Sequence, residues 1–439
     1  MARELGTESY GRYGIALALA VVLVPVADAG LTPYLTREVA RDRARGEAVL
    51  RPALRAKLAL SGAIFAAAAL PAWALTSGEL LAAILLVAAA QLLDGVSAFA
   101  YGYFRGREWM GHEARLTTAA SLVRSLGGIA LVLATGALAP ALVWIAAVAL
   151  GQLAWSLARL RAAVDADAAR GEANVAWRTA ATMGLIAILV LVYARADTVL
   201  VGWLEGEEAA GLYTAAYTLL LGLQIVPWML AVALQPVFVR AHATDAELLR
   251  RSWEEGLRAI LVVSLPLALA PSLLADDAVD LLFGGAYADA AGALAILAWA
   301  TPLAALGSVL TGVLRAAGLE RALVPVAGAA AALNVSANLV LIPRYGIEAA
   351  ASITIATEAA GLAAMTGVAL RSGLVPTPRL PLARIALALG ALALVALADL
   401  PGGAVVAGVA SLGAYAAVLA ATRVVGRREL ELVRAARRG

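Results

Sequence analysis

Two arginines interrupt long apolar stretches of this sequence, and they are its most chemically pointed residues: Arg124 and Arg195. A charged side chain at mid-membrane costs about 2.5–3.5 kcal/mol to insert, so it faces a cavity or a partner. The planar guanidinium fork matches two oxygens of a phosphate or of a carboxylate. Arg124 therefore either binds an anion or closes an ion pair, with Asp94 as the partner at hand. Arg195 and Asp197 are two residues apart and share no helix face, so they do not pair with each other. Asp28, Asp94, Asp197 and Glu358 lie in similar surroundings. A carboxylate there carries a coupling proton or cation, caps a helix break, or pairs with an arginine.

Other motifs carry less. Asp165-Ala166-Asp167 has the DxD spacing of metal-dependent sugar transferases but stands in a short Ala-rich loop with no nucleotide-binding pattern around it. Asn334-Val335-Ser336 spells a glycosylation acceptor inside an apolar stretch, where such sites are not used. Asn334 and Asn338 are four apart, on one helix face, and fit hydrogen bonding between helices. The chain has no cysteine, which removes disulfides, thiolate metal sites and cysteine nucleophiles. His112 and His242 form no cluster, HExxH is absent, and no metal, cofactor or catalytic group is expected.

The elements that must position these residues are membrane helices. Of 439 residues, 62% are hydrophobic and 15% charged, with a mean hydropathy of +0.86. Soluble proteins are roughly 45–50% apolar and about 25% charged. A net charge of +3 is too small to suggest nucleic acid. Stretches long enough to span fall at 13–34, 56–76, 80–103, 116–136, 140–160, 179–203, 209–239, 257–275, 290–316, 322–342, 347–370, 382–399 and 404–422. The fold class is thus all-α, a polytopic transmembrane bundle of about thirteen spans.

The loops alternate in charge. The first basic loop holds Arg37 to Arg55 and Lys57, and later ones hold Arg105, Arg107 and Arg115, then Arg159 to Arg178, Arg240 to Arg258, Arg315 and Arg321, and Arg371 to Arg384. The tail adds Arg423 to Arg438, while the loops around Thr76–Glu79, Thr135–Pro140, Glu205–Ala209, Ala275–Ala290 and Asp399–Gly403 hold almost none. Basic loops stay in the cytoplasm, so the C-terminus is expected there. Thirteen crossings then put the N-terminus outside, although residues 1–11 carry no export signal. A missing N-terminal span resolves the conflict; a wrongly divided re-entrant pair is the alternative.

The halves also repeat. Gly11-Arg12-Tyr13 with Pro25, Pro33 and Arg37 matches Gly211-Leu212-Tyr213 with Pro227, Pro236 and Arg240, at offsets of 200 to 203. Phe104-Arg105 matches Leu314-Arg315. Transporters place their substrate site at the interface of such repeats.

Three stretches carry a family resemblance: Ala29-Gly30-Leu31 with Thr36 to Arg41; Arg195 to Gly202 running on to Tyr217; and Asn334 to Ala351. On these the chain resembles the Wzx-type polysaccharide flippases of the MATE-like superfamily of multidrug, oligosaccharidyl-lipid and polysaccharide exporters. That family has fourteen helices in two six-helix lobes plus two more, and this chain begins where the family's second helix begins. The resemblance implies an N-terminal lobe over 1–160, a cytoplasmic linker over 161–178, a C-terminal lobe over 179–370, and two extra helices with a basic tail over 371–439.

It further implies a multi-pass protein of the cell membrane that moves a polyprenyl-(pyro)phosphate-linked oligosaccharide to the outer leaflet for surface polysaccharide synthesis. Arg124 from one lobe and Arg195 from the other would line a cationic cavity. Arg105 and Arg315 would hold lipid phosphates at the inner entrance, or simply anchor their helices. Asp28, Asp94, Asp197 or Glu358 would couple transport to a proton or cation. Partners would be the lipid-linked oligosaccharide, membrane lipids, a polysaccharide polymerase and glycosyltransferases. The alternatives are a MATE-type drug exporter, a membrane enzyme of surface-glycan assembly and a non-functional truncated copy. The enzyme reading suffers from the lack of a large outer loop.

Overall fold

Ala- and Leu-rich apolar runs are strong helix formers, and in lipid every backbone polar group must be satisfied within the helix. In a computed structural model describing residues 2–76, 78–164, 174–244, 246–374, 378–398 and 403–424, the described residues form helices and no strand. Asp165 and Asp167 and the tail arginines from Arg427 onward lie outside those residues, as do the side chains of His112, Pro236, Arg240 and His242.

The helices are α1 (Ala2–Asp28), α2 (Leu31–Arg41), α3 (Arg43–Leu75), α4 (Gly78–Gly106), α5 (Met110–Thr135), α6 (Leu138–Ala163), α7 (Trp177–Leu204) and α8 (Glu207–Thr244). They continue with α9 (Ala246–Leu273), α10 (Ala275–Phe283), α11 (Ala290–Leu297), α12 (Ala300–Ala316), α13 (Leu323–Arg371), α14 (Leu382–Ala396) and α15 (Gly403–Ala421). Among the described residues nine helical segments are long and apolar enough to cross a membrane. The 49-residue α13 covers two of the expected stretches and bends between them at Gly346, φ 59°. The stretch 179–203 falls on α7, and the last two fall on the shorter α14 and α15. The chain is a multi-pass helical membrane protein.

Three boundaries differ from the sequence expectation. The stretch 13–34 breaks at Ala29 (φ 45°) and Gly30 (φ 76°), so Leu31–Arg41 is a separate amphipathic helix. Its buried residues Leu31, Tyr34, Leu35, Glu38 and Val39 repeat at helical spacing, with Arg37 and Arg41 outside. Most of the loop expected at Ala275–Ala290 is helical, as α10 and a short 3₁₀ turn over Gly285–Tyr287. The stretch 290–316 is divided at Ala298–Trp299 into α11 and α12.

The chain packs as two compact units, Met1–Thr214 and Ala215–Gly439. In the first, α1 packs against α4 and α7, α4 against α6, and α2 against α3, α4 and α7. Tyr34, Phe99 and Tyr103 are among the side chains of one core there. In the second, α12 packs on α9 and α13, α11 on α13, and α14 on α15 and α9. Large apolar side chains such as Leu70, Trp73 and Leu75 stay exposed on α3, as lipid permits.

The repeat is visible in the packing of the first unit. A methyl group on Gly11 would overlap the carbonyl oxygen of Glu207, and one on Gly211 would overlap that of Thr7. The two contacts are reciprocal at the repeat offset, as a two-fold contact requires.

Candidate functional site

Arg124, on α5, reaches α4 and closes a two-pronged ion pair with Asp94: Nη1 to Oδ2 at 2.7 Å and Nη2 to Oδ1 at 2.9 Å. Its Nη2 also donates to Gln152 Oε1 on α6 at 3.4 Å, and Gln152 Nε2 donates to the Tyr101 hydroxyl at 3.2 Å. The buried Nε makes no hydrogen bond. Of the two arrangements open to Arg124, the ion pair is the one that forms. An anion binding here must take the place of Asp94 on the same fork.

Arg195 sits half-buried on α7. Both guanidinium groups lie close enough to the Tyr13 phenol on α1 to act on it electrostatically. Arg195 and Arg124 thus share the first unit, because α7 packs on α1 and α2. Asp197, buried two residues on, accepts hydrogen bonds from the Tyr213 hydroxyl at 2.7 Å and from the Thr198 amide at 2.7 Å. Its place beside the start of α8 suits a helix-linking carboxylate.

Asp28 closes α1. It accepts from the Thr32 amide at 3.2 Å and from the Thr32 hydroxyl, which caps α2 across the Gly30 break. It also accepts from Lys57 Nζ on α3 at 2.7 Å. Arg105 Nε stands 3.1 Å from Glu113 Oε2, and its Nη2 donates to the Ala98 carbonyl at 3.4 Å. Arg315 is exposed in the last turn of α12, and Glu358 is half-buried on the second limb of α13. Of the two asparagines Asn334 links across the bend, its Nδ2 donating to Thr357 Oγ1 at 3.4 Å, while Asn338 Nδ2 donates to Asn334 Oδ1 at 3.0 Å on its own limb.

The structure therefore gathers Arg124, Asp94, Arg195, Asp197, Asp28 and Arg105 in the first unit, with Arg315 and Glu358 in the second. Three groups stand out that sequence reasoning passed over. Lys57, taken for a loop charge, is 1% exposed inside the unit. Its one signal is that it is the sole lysine. Glu47 is buried and accepts from Arg43 Nε at 2.8 Å and the Tyr103 hydroxyl at 2.7 Å, with Arg107 at 3.8 Å. Arg12 binds Glu8 of its own helix, Glu79 of α4 and Glu207 of α8. It gathers residues from two of the loops that the charge pattern sets on one side. Its signal was the repeat motif in which it stands.

Comparison with known proteins places this geometry. A family model for "Polysaccharide biosynthesis protein" matches residues 1–242, and the MatE model matches residues 183–340. No curated protein sequence matches. The fold is similar to the inward-facing conformation of a multidrug resistance MATE family transporter of the MOP superfamily, with a TM-score of 0.71 and 18% identity over 85% of this chain and 92% of that one. It is similar to the lipid II flippase MurJ in an inward closed conformation, with a TM-score of 0.71 and 12% identity over 96% and 94%. A MOP superfamily transporter from Pyrococcus furiosus, noted for reversed polarity of its binding pocket, matches with a TM-score of 0.57 and 16% identity over 82% and 85%.

Proposed function

The chain belongs to the polysaccharide biosynthesis protein family, and from that premise we propose that it flips a polyprenyl-(pyro)phosphate-linked oligosaccharide from the cytoplasmic to the outer leaflet. The family match over the first 242 residues carries the reading. The flippase among its structural relatives supports the same substrate class, a lipid-linked sugar.

Two arginines on helices of the first unit suit an anionic group. Arg195 takes the phosphate, with Arg124 exchanging its Asp94 oxygens for phosphate oxygens as the substrate arrives. Exposed Arg315 and the Glu113-bound Arg105 would meet lipid phosphates at the inner surface. The carboxylates Asp28, Asp94, Asp197 and Glu358 remain the coupling candidates, with Asp94 and Asp28 already held by cations. The protein sits in the cell membrane with its basic loops and tail in the cytoplasm. A polymerase and glycosyltransferases would stand on either side of it in the route. No catalytic step is assigned to the chain.

The test is the double variant Arg124→Ala, Arg195→Ala in a cell that depends on this chain for surface polysaccharide. Loss of the polysaccharide at matched amounts of folded protein supports the site; normal polysaccharide removes it. A second reading, drug export, is favoured by the MATE family likeness. A deletion strain that gains drug sensitivity while its surface glycan stays normal would replace the flippase by that exporter.

A further inference from the structure

One basic position in this chain departs from all the others. Of 34 basic residues only Lys57 is a lysine, and it is 1% exposed, whereas neighbouring Arg51 and Arg55 on α3 are exposed. The difference is chemical. Arginine keeps its proton in any protein site, while a lysine ammonium can exchange its proton with a neighbouring base. A chain that uses arginine everywhere else carries a titratable amine at the most enclosed basic position among the described residues.

The ammonium is also under-coordinated. It has three N–H bonds, and among the described residues one is matched, to Asp28 Oδ1 at 2.7 Å. One turn along the same face of α3, the Ser61 hydroxyl is 8% exposed and has no hydrogen-bond partner. On α4, Gly95 faces the ammonium without a side chain: a Cβ there would stand 3.2 Å from Val24 Cγ1 and 3.7 Å from Nζ. Three carboxylates of the packed elements are engaged elsewhere. Asp94 of α4 is held by Arg124, Glu38 of α2 by Arg45, and Glu47 of α3 by Arg43, Tyr103 and Arg107. The pair ties α3 to the break between α1 and α2.

We propose that Lys57 is a proton-exchanging residue whose ammonium passes a proton to Asp28 and on to water, releasing α3 from the α1–α2 break. An N–H bond breaks with its electron pair left on nitrogen. An O–H bond forms on Asp28 Oδ1 and breaks as the proton reaches water, and nothing is oxidised or reduced. The inference deepens the flippase reading, and rests on it only for what the exchange drives: proton movement as the coupling reaction.

The single lysine makes the test direct. The full chain, with a lysine-free tag, is reductively methylated with ¹³C-formaldehyde in detergent micelles, and the Lys57→Arg variant identifies the Lys57 signal by its loss. The Lys57 methyl resonance should move as the pH is taken through and below the ordinary lysine range, and its range should change in Asp28→Asn. A resonance that stays still over that range, or an amine that takes no methyl after prolonged exposure, overturns the proposal.

Proteoliposomes holding a polyprenyl-pyrophosphate oligosaccharide give the second arm. An imposed pH gradient should change the wild-type flipping rate, and Lys57→Arg, shown folded by its thermal melt, should lose that dependence. If Lys57→Arg keeps it, the proposal fails and the flippase reading stands. If the wild type flips nothing while its resonance moves, the flippase reading fails and the proton exchange stands.

Discussion

The Arg124–Asp94 pair separates two roles that the same atoms can play. Removing one partner of a part-buried ion pair leaves an uncompensated charge and destabilises the fold, whereas removing both together costs little. Arg124→Ala alone should therefore lower the melting temperature, and Arg124→Gln with Asp94→Asn should restore most of it. Transport then divides the readings. A merely structural pair leaves the double variant active, while an anion-binding Arg124 leaves it folded and inactive. Tyr103→Phe removes a 2.7 Å hydrogen bond to the buried Glu47 carboxylate. A hydrogen bond to a charged group is worth about 1.5–3 kcal/mol, and a denaturation midpoint in detergent should fall accordingly. At the start of α9, hydrogen bonds from Arg250 and Arg251 hold the exposed Glu247 carboxyl down at about 2. The sign follows: what this group adds is complete above the ordinary carboxylate range and fades only as pH falls towards about 2. Glu247→Gln should therefore leave the pH dependence of melting unchanged above about pH 5, where an ordinary carboxylate is already ionised. The charges themselves were legible in sequence because a charge in an apolar run is rare. Their partners were not, since Arg124 and Asp94 are 30 residues apart and only the packing of α4 on α5 brings them together.

Helices were the most legible level. Lipid demands about 20 apolar residues per crossing, so the runs announce themselves, and all thirteen stretches fall on helix. The breaks were harder. Ala29-Gly30 lies within one apolar run, and what divides it is a positive-φ pair capped by Asp28, a local geometry that hydropathy does not register. The boundary between α11 and α12 is hidden for another reason, since Ala298 and Trp299 both keep right-handed helical dihedrals. The crossing of α1 and α8 rests on the reciprocal glycines Gly11 and Gly211, where a side chain on either meets backbone rather than a movable side chain. Gly11→Leu and Gly211→Leu should each lower the melting temperature by several degrees and suppress transport, since overpacking costs about 1–3 kcal/mol. Gly62→Leu, at an α3 position with nothing within 4 Å, should do neither. Equal melts for all three would remove the close crossing.

At the scale of the molecule, charge sets orientation and family sets the task. Because the chain has no cysteine, single cysteines can be introduced without removing any. Cysteines at Glu79 and Glu205 should react with an impermeant maleimide from outside intact cells, and one at Arg41 should react only after lysis. The reverse pattern would invert the proposed topology. The central claim, that the chain flips a lipid-linked oligosaccharide, meets its most direct test in a deletion strain complemented with this 439-residue chain. The measurement is the amount of lipid-linked oligosaccharide held on the cytoplasmic side. The account predicts accumulation in the deletion strain and its clearance by the chain; a deletion strain that accumulates none would contradict it.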